Sequence, residues 1–171
     1  LRRVKAKVLE DLPPKQYSLI PLEIDNRREY NRLVIKLTTG LEKTNALARI
    51  EALKQCVLHG KMKQAIQWCE NFLESGEKLV LLAHHRIAVE TMATALKKYR
   101  PLKIIGGMSA KAKKQAVDKF QTDSSCKILV GNIKASGVGI TLTAASNLAF
   151  LELPWSPGDF SQASDRIHRL T

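Results

Sequence analysis

The chain has 171 residues, of which 44% are hydrophobic, and it carries a formal net charge of +12. This hydrophobic fraction is ordinary for a globular domain and excludes a disordered chain, and no apolar stretch reaches the roughly 20 residues that a membrane-spanning helix needs. The excess of lysine and arginine favours a polyanionic partner. Nucleic acid fits this charge better than an anionic membrane, which usually requires an amphipathic helix with Trp or Phe on its apolar face.

Cysteine and histidine residues give no signature of a disulfide framework or a metal site. Cys56, Cys69 and Cys126 are widely spaced and include no C-x-x-C pair, so we expect reduced thiols in an intracellular protein. His84 and His85 are adjacent, and neighbouring side chains on a strand point to opposite faces. Because no third ligand lies nearby in the sequence, a structural role is favoured over metal binding.

The N-terminal part of the chain is predicted to be mainly helical and to end at Ser75-Gly76. Turn residues and the spacing of apolar side chains define the elements. They predict a basic helix over Leu1–Asp11, an edge strand over Gln16–Ile24, a helix from the cap residue Asp25 or Asn26 to about Leu37, and two helices between Glu42 and Glu74.

From Lys78 onward, strands and helices alternate. Continuous apolar runs such as Leu79–Ala83 are typical of parallel strands that are buried on both faces. The alternation predicts an α/β fold with a doubly wound parallel sheet, whose binding residues lie at the carboxyl ends of the strands. The predicted strands are Leu79–Ala83, Lys103–Ile105, Lys127–Val130 and Asn147–Leu153. The predicted helices bury Ile87, Met92, Leu96 and Tyr99 in the first, Ala112, Ala116, Val117 and Phe120 in the second, which Ser109 caps, and one face of Pro157–Leu170 in the last.

The predicted terminal helix has two distinct faces. An apolar stripe faces the sheet, and Gln162, Arg166 and Arg169 lie at i, i+4 and i+7 on a second stripe. Arginine suits phosphate binding because its planar guanidinium donates two parallel hydrogen bonds and keeps its charge. A solvated basic face explains the same pattern, and the residues alone leave both interpretations open.

The segment Gln162–Arg169, which reads QASDRIHR, resembles motif VI of the Swi2/Snf2 family of DNA-translocating ATPases, Q-A-x-D-R-x-H-R-I-G-Q. In that family the two arginines reach from the second lobe to the ATP held by the first and stabilise charge on the transferring phosphoryl group. The resemblance implies that Arg166 and Arg169 are arginine fingers, with Gln162 beside them and Asp165 on the ATP side. The family's I-G-Q ending is replaced here by Leu170-Thr171.

Other segments resemble the same family in matching order. The run from Leu1 to Lys15 resembles the segment that joins the two lobes, L-R-R-x-K-x-x-V-L…L-P-P-K, and Lys78–His84 resembles motif IV. Residues 105–121 resemble the segment G-S-T-x-x-x-x-R…F, with Lys113 in place of the arginine. Ala135–Ala145 resembles motif V, A-G-G-x-G-x-N-L-x-x-A, in which this chain has Ser136 for a glycine and Thr141 for an asparagine.

These resemblances imply a RecA-like second helicase lobe with an N-terminal helical extension. Motif V implies that Gly137 and Gly139 border the ATP cleft, because glycines let backbone approach a ligand closely. A solvated lysine-rich face is the alternative for the helix after Ser109. The segment Pro154–Gly158, PWSPG, resembles the annealing-helicase branch of the family. The residues expected to contact the DNA backbone are Gly107, Ser109, Lys113, Lys134, Ser136 and Thr143.

The resemblance also implies how the chain is organised and what it binds. Residues 1–24 would be the inter-lobe linker, 25–76 a helical segment, and 77–171 the RecA-like core. No G-x-x-x-x-G-K-[ST] phosphate loop and no D-E-x-x box occurs. A first lobe outside this chain would therefore hold ATP and Mg²⁺, and we expect the chain alone to be inactive as an ATPase. The expected partners are double-stranded DNA and that first lobe, with no membrane and no further copy of the chain.

Three functions are compatible with these features. The first is half of an ATP-dependent motor for chromatin remodelling or DNA repair, nuclear in a eukaryote and cytoplasmic in a bacterium or virus. The second is a non-catalytic basic module that binds nucleic acid. The third is a small nucleotide-binding enzyme, which the lack of a phosphate fingerprint after the first buried strand disfavours. Loss of ATPase activity with retained DNA affinity, after mutation of Arg166 and Arg169 in a two-lobe protein, would distinguish the first from the second.

Overall fold

A parallel β-sheet organises the residues that follow position 78. The computed structural model of the chain describes residues 13–39, 45–136 and 140–168, and within them four parallel strands pair in the spatial order β2-β3-β1-β4. All five residues of β1 are buried, which explains their continuous apolar run. In register, Leu79 of β1 lies opposite Ile128 of β3 and Asn147 of β4. The strands are β1 Leu79–Ala83, β2 Leu102–Ile104, β3 Ile128–Asn132 and β4 Asn147–Phe150.

Helices flank this sheet and cover its core. The helices are α3 Arg86–Ala95, a 3₁₀ turn Lys97–Tyr99, α4 Ala110–Thr122, α5 Ile133–Ser136 and α6 Pro157–Ser164. Val80, Leu82, Ile104, Phe120 and Leu129 are at most 1% exposed in the core between them. Burial of each such large apolar side chain stabilises the fold by about 1.5–3 kcal/mol. The predicted α/β fold with a doubly wound parallel sheet is confirmed.

The helix after β1 buries a different stripe from the one predicted. Met92 and Leu96 are fully buried as expected, together with Ala88 and Val89, but Ile87 is 55% exposed. Ile87 and Met92 are five residues apart, and at about 100° per residue this separation puts them on different helix faces. The prediction for Ile87 was therefore wrong.

The chain divides into two compact units, Ile20–Cys69 and a second unit that combines Leu1–Leu19 with Glu70–Thr171. The first unit contains α1, Arg27–Thr38, and most of α2, Ala46–Leu73. Boundaries at residues 24 and 76 remain a prediction.

One continuous helix, α2, replaces the two that were predicted between Glu42 and Glu74. Gly60 lies inside it, where a Cβ atom would overlap the Asn26 side chain and lie 2.8 Å from Ile24 Cβ. The Asp25 N–H donates to Gly60 O at 3.0 Å. Because Gly60 has no side chain, the segment that contains Ile24 and Asn26 can approach α2 closely, and the helix continues through Gly60 without a break. In the part of the chain that the structure describes, no helix is both long and apolar enough to cross a membrane.

The edge strand predicted over Gln16–Ile24 was wrong, because these residues form no strand. Leu19 is 94% exposed and Tyr17 is 66% exposed, so the alternating pattern does not bury one face. Pro21 has no N–H to donate to a neighbouring strand. The helix predicted over Leu1–Asp11 lies outside the described residues.

Candidate functional site

Arg166, which the sequence predicts as a finger, lies in a turn after α6 and not on a helix. The helix begins as predicted, with Ser156 Oγ accepting from Asp159 N–H and Pro157 at the first position. It ends at Ser164, so the prediction of a helix to Leu170 was wrong over the described residues. The Arg166 carbonyl accepts a hydrogen bond from the Leu142 N–H at 2.9 Å. Beyond the end of the helix, the backbone of Arg166 is thus bonded to a segment that is distant in sequence.

The three residues of the predicted arginine stripe therefore do not share one helical face. Gln162 is exposed on α6, whereas Arg166 is half-buried in the turn, with its Nη1 3.5 Å from Ile140 O. Arg169 and Leu170 lie outside the described residues. The role of Gln162, Arg166 and Arg169 as a catalytic set remains a prediction.

Residues 13–17, which lie in the N-terminal part of the chain, contact the same turn. Lys15 Nζ lies 2.7 Å from Asp165 Oδ1 in a partly buried ion pair. His168 Nε2 lies 2.7 Å from Pro13 O, within hydrogen-bond distance. Asp165, which the sequence places on the ATP side, thus has a lysine of the same chain beside its carboxylate.

An open cavity of about 390 Å³ lies at the carboxyl ends of β1, β2 and β3. Parallel sheets typically bind ligands at this edge. Lys134 contributes positive charge, and Arg86 lies beside the cavity in an ion pair with Glu90 at 2.7 Å. Asn132 Nδ2 donates to His84 O at 3.0 Å, which ties the ends of β1 and β3 together. Because cations and a polar edge meet here, the cavity suits an anion such as a phosphate group. It is lined by His84, Arg86, Gly106, Asn132, Ile133, Lys134 and Ala135.

A buried carboxylate fixes the loop that leaves β1. Glu152 is 5% exposed, and its Oε2 accepts hydrogen bonds from the backbone N–H groups of His84 (3.1 Å) and His85 (2.9 Å). Its Oε1 lies 2.5 Å from His85 Nδ1. His85 therefore has the structural environment that the sequence favoured. Glu152 follows β4, and the backbone N–H groups that it accepts from follow β1. These hydrogen bonds therefore join the carboxyl ends of two neighbouring strands beside the cavity.

The loop after β2 places three predicted DNA contacts at the start of α4. Gly107 has φ +84°, a conformation that glycine adopts readily. Ser109 caps the helix as predicted, its Oγ accepting from Ala112 N–H at 3.2 Å. Lys113, one turn later, is half-buried. Gly107 and Ser109 are exposed, so this loop is open to a large ligand.

Two of the predicted DNA contacts in motif V, Ser136 and Thr143, lie among the described residues. Ser136 is 2% exposed, and no hydrogen-bond partner for its Oγ lies among the described residues. A contact between its hydroxyl and phosphate remains a prediction. Thr143 Oγ1 accepts from Gln121 Nε2 at 3.1 Å, which leaves the threonine hydroxyl hydrogen available to another acceptor. Gly137 and Gly139 lie outside the described residues.

Sequence reasoning missed Arg86, Asn132 and Glu152 as parts of this edge, and it missed Gln121 as the hydrogen-bond partner of Thr143. Arg86 and Asn132 each lie at or just beyond the carboxyl end of a buried strand, a signal that could have identified them. Gln121 and Glu152 act through partners 22 or more residues away, which no local pattern indicates.

Comparisons with known proteins agree with this geometry. Residues 64–171 match the family model of the helicase conserved C-terminal domain. The chain is 34% identical over 183 residues to a SWI/SNF-related matrix-associated actin-dependent regulator of chromatin subfamily A-like protein 1 homolog of Caenorhabditis elegans, covering 99% of this chain and 26% of that protein. It is 30% identical over 192 residues to the DNA annealing helicase and endonuclease ZRANB3 of Homo sapiens, covering 99% of this chain and 17% of that protein.

A solved structure shows the same fold. The Sulfolobus solfataricus SWI2/SNF2 ATPase core in complex with dsDNA superposes with a TM-score of 0.75 at 23% identity, covering 99% of this chain and 42% of that chain. The chain spans about a quarter or less of the length of the two curated relatives named above. It belongs to the helicase conserved C-terminal domain family and is similar over its length to proteins of the Swi2/Snf2 type.

Proposed function

We propose that this chain is the C-terminal lobe of an ATP-dependent double-stranded-DNA translocase and supplies the motor with arginine fingers and DNA-backbone contacts. The observation that carries the proposal is the turn after α6. There the Arg166 carbonyl accepts a hydrogen bond from the Leu142 N–H, and the preceding residue, Asp165, forms an ion pair with Lys15. A guanidinium on a fixed backbone can meet charge that develops on a phosphoryl group without reorganising first.

The ATP and Mg²⁺ would be held mainly by another lobe, because this chain contains no phosphate loop and no D-E-x-x box. Among the described residues no group of three or more metal-ligating side chains comes together. Arg166 and Arg169 would act on the phosphoryl group when that lobe closes on this one. The remaining part of the cleft near motif V would involve Gly137 and Gly139.

Contacts to the DNA backbone would come from the carboxyl edge of the sheet. Arg86 and Lys134 line the cavity there, and Gly107 and Ser109 lie exposed on the next loop. The net charge of +12 attracts a polyanion over a longer range. The dsDNA complex of the Sulfolobus solfataricus core supports duplex DNA as the ligand. Expected contacts with phosphate carry no sequence information, so binding should be sequence-independent.

The names of the relatives suggest where such a motor works. One is a regulator of chromatin and another a DNA annealing helicase, so remodelling of chromatin or repair of DNA is the proposed process. In a eukaryote the protein would act in the nucleus. We propose that one copy of the lobe acts with one ATP-binding lobe.

The test is DNA-stimulated ATP hydrolysis by a two-lobe protein that contains this chain. Substitution of Arg166 and Arg169 by alanine is expected to lower kcat by about 10³-fold or more, with DNA affinity retained. Arg100→Ala, a change at the residue that follows the 3₁₀ turn and is far along the chain from the motif, serves as the control. ATP turnover that survives the double substitution would remove the finger assignment and leave the alternative, a non-catalytic basic module that binds nucleic acid.

The DNA contacts are tested separately by the salt dependence of duplex binding. Lys134→Gln removes one cation from the cavity, so it is expected to lower the slope of log K against log salt by about 1. Arg86→Gln is expected to lower the slope by less, because Arg86 is ion-paired with Glu90. Slopes equal to that of the unsubstituted chain would show that the cavity does not contact phosphate.

A further inference from the structure

Residues 13–17, in the N-terminal part of the chain, make several contacts with α6 and with the turn that follows it. Lys15 Nζ and Asp165 Oδ1 are 2.7 Å apart, and His168 Nε2 lies 2.7 Å from Pro13 O. The Tyr17 ring packs against the Phe160 ring with centroids 5.9 Å apart. Three kinds of interaction therefore join two segments that are about 150 residues apart in the chain.

Residues 140–142 contact the same turn. The Leu142 N–H donates to Arg166 O at 2.9 Å, and Arg166 Nη1 lies 3.5 Å from Ile140 O. Two segments distant in sequence, residues 13–17 and residues 140–142, therefore contact the turn that carries Arg166.

We propose that Lys15 is a positioning residue for Arg166 and acts through Asp165. This inference rests on the proposed function, because it requires Arg166 to act on ATP. Lys15 neutralises the Asp165 carboxylate, which would otherwise attract the neighbouring guanidinium away from a phosphate. Residues 13–17 therefore set the direction of the finger, and any movement of this segment would be passed to the catalytic arginine.

The exposure of the ion pair favours a positional role over a stabilising one. The side chains of Lys15 and Asp165 are 24% and 41% exposed. Ion pairs as exposed as this add little to the stability of a fold. Small displacements of a catalytic group, in contrast, have large effects on rate.

The test is steady-state ATP hydrolysis by the two-lobe protein with saturating duplex DNA. Lys15→Met keeps the length of the side chain and removes its charge, and kcat is expected to fall about 10- to 100-fold. The KM for ATP and the Kd for DNA are expected to stay at their unsubstituted values, because a misdirected finger impairs the chemical step. Lys15→Arg, which keeps the charge, is expected to restore kcat.

Lys98→Met is the matched control. Lys98 forms an ion pair with Glu70 at 3.0 Å in the same compact unit, so this change removes a comparable pair away from the turn. If Lys15→Met and Lys98→Met have the same kcat while Arg166→Ala lowers it, the positioning role is overturned and the finger assignment stands. If Arg166→Ala leaves kcat unchanged, the proposed function fails, and the positioning role with it.

A second variant, at the other residue of the ion pair, tests the same interaction with a different substitution. Asp165→Asn removes the same ion pair, so the protein with both changes is expected to be no slower than the slower single variant. Losses that multiply in the double variant would overturn the proposal. In the chain itself, Lys15→Met is expected to speed hydrogen exchange of the Leu142 amide, which donates to Arg166 O. An exchange rate equal to that of Lys98→Met would also overturn it.

Discussion

Gly131→Ala is expected to destabilise the fold because Ser136 occupies the space that a methyl group would need. An ideal Cβ at Gly131, in β3, would lie closer than 3.0 Å to Ser136 Oγ and 3.2 Å from Ile104 O. Overpacking of a core typically costs about 1–3 kcal/mol, and the lower chain entropy of alanine in the unfolded state offsets about 0.4–1 kcal/mol. The net loss in free energy of unfolding is expected to be about 1–2 kcal/mol.

Removal of the Ser136 hydroxyl should relieve this clash. Ser136→Ala alone is expected to be neutral or stabilising, because the buried Oγ has no hydrogen-bond partner among the described residues. The double variant is expected to recover most of the loss, with a coupling energy of about 1 kcal/mol or more. Urea unfolding of the four proteins measures the cycle. Additive effects would refute the placement of the hydroxyl against Gly131.

Two further predictions concern the carboxylates outside the turn. Glu152→Ala leaves the partly buried amide N–H groups of His84 and His85 without their acceptor, so urea unfolding should show a loss of about 1–3 kcal/mol, and an unchanged value would contradict the role of Glu152 in holding this loop. Hydrogen bonds from the hydroxyl and N–H of Ser125 lower the pKa of Asp123 from 3.8 to about 2, so its contribution to stability is present above pH about 4 and is lost as the pH falls towards 2. Asp123→Asn is therefore expected to flatten the pH dependence of unfolding in this window, and an unchanged slope would exclude the carboxylate as its source.

Local pattern was sufficient to predict the sheet. The run Leu79–Ala83 is apolar because neighbouring strands cover both its edges and helices cover its faces, and this environment follows from the α/β alternation. Ser109 and Ser156 were recognisable as caps because a cap acts within one turn of its own helix. Such features require no knowledge of the tertiary fold.

The details of the candidate site depend on contacts that are distant in sequence. Helix α6 ends at Ser164, although the apolar stripe in the sequence continues past this residue. The hydrogen bond between Leu142 and Arg166 that follows the helix joins residues distant in sequence. The Lys15–Asp165 pair spans 150 residues. Spacing and resemblance predicted candidate residues for the site but could not show that Arg166 lies in a turn that contacts residues 13–17 and 140–142.

The central claim is that Arg166 completes an ATP site whose other half lies on a separate lobe. The most direct measurement is single-turnover hydrolysis of ATP by the two-lobe protein with saturating duplex DNA, together with the Kd for that DNA. Arg166→Ala is expected to slow the chemical step by about 10³-fold or more while the Kd stays unchanged. An unchanged hydrolysis rate, or a loss of rate that disappears once DNA is raised to saturate the variant, would contradict the claim.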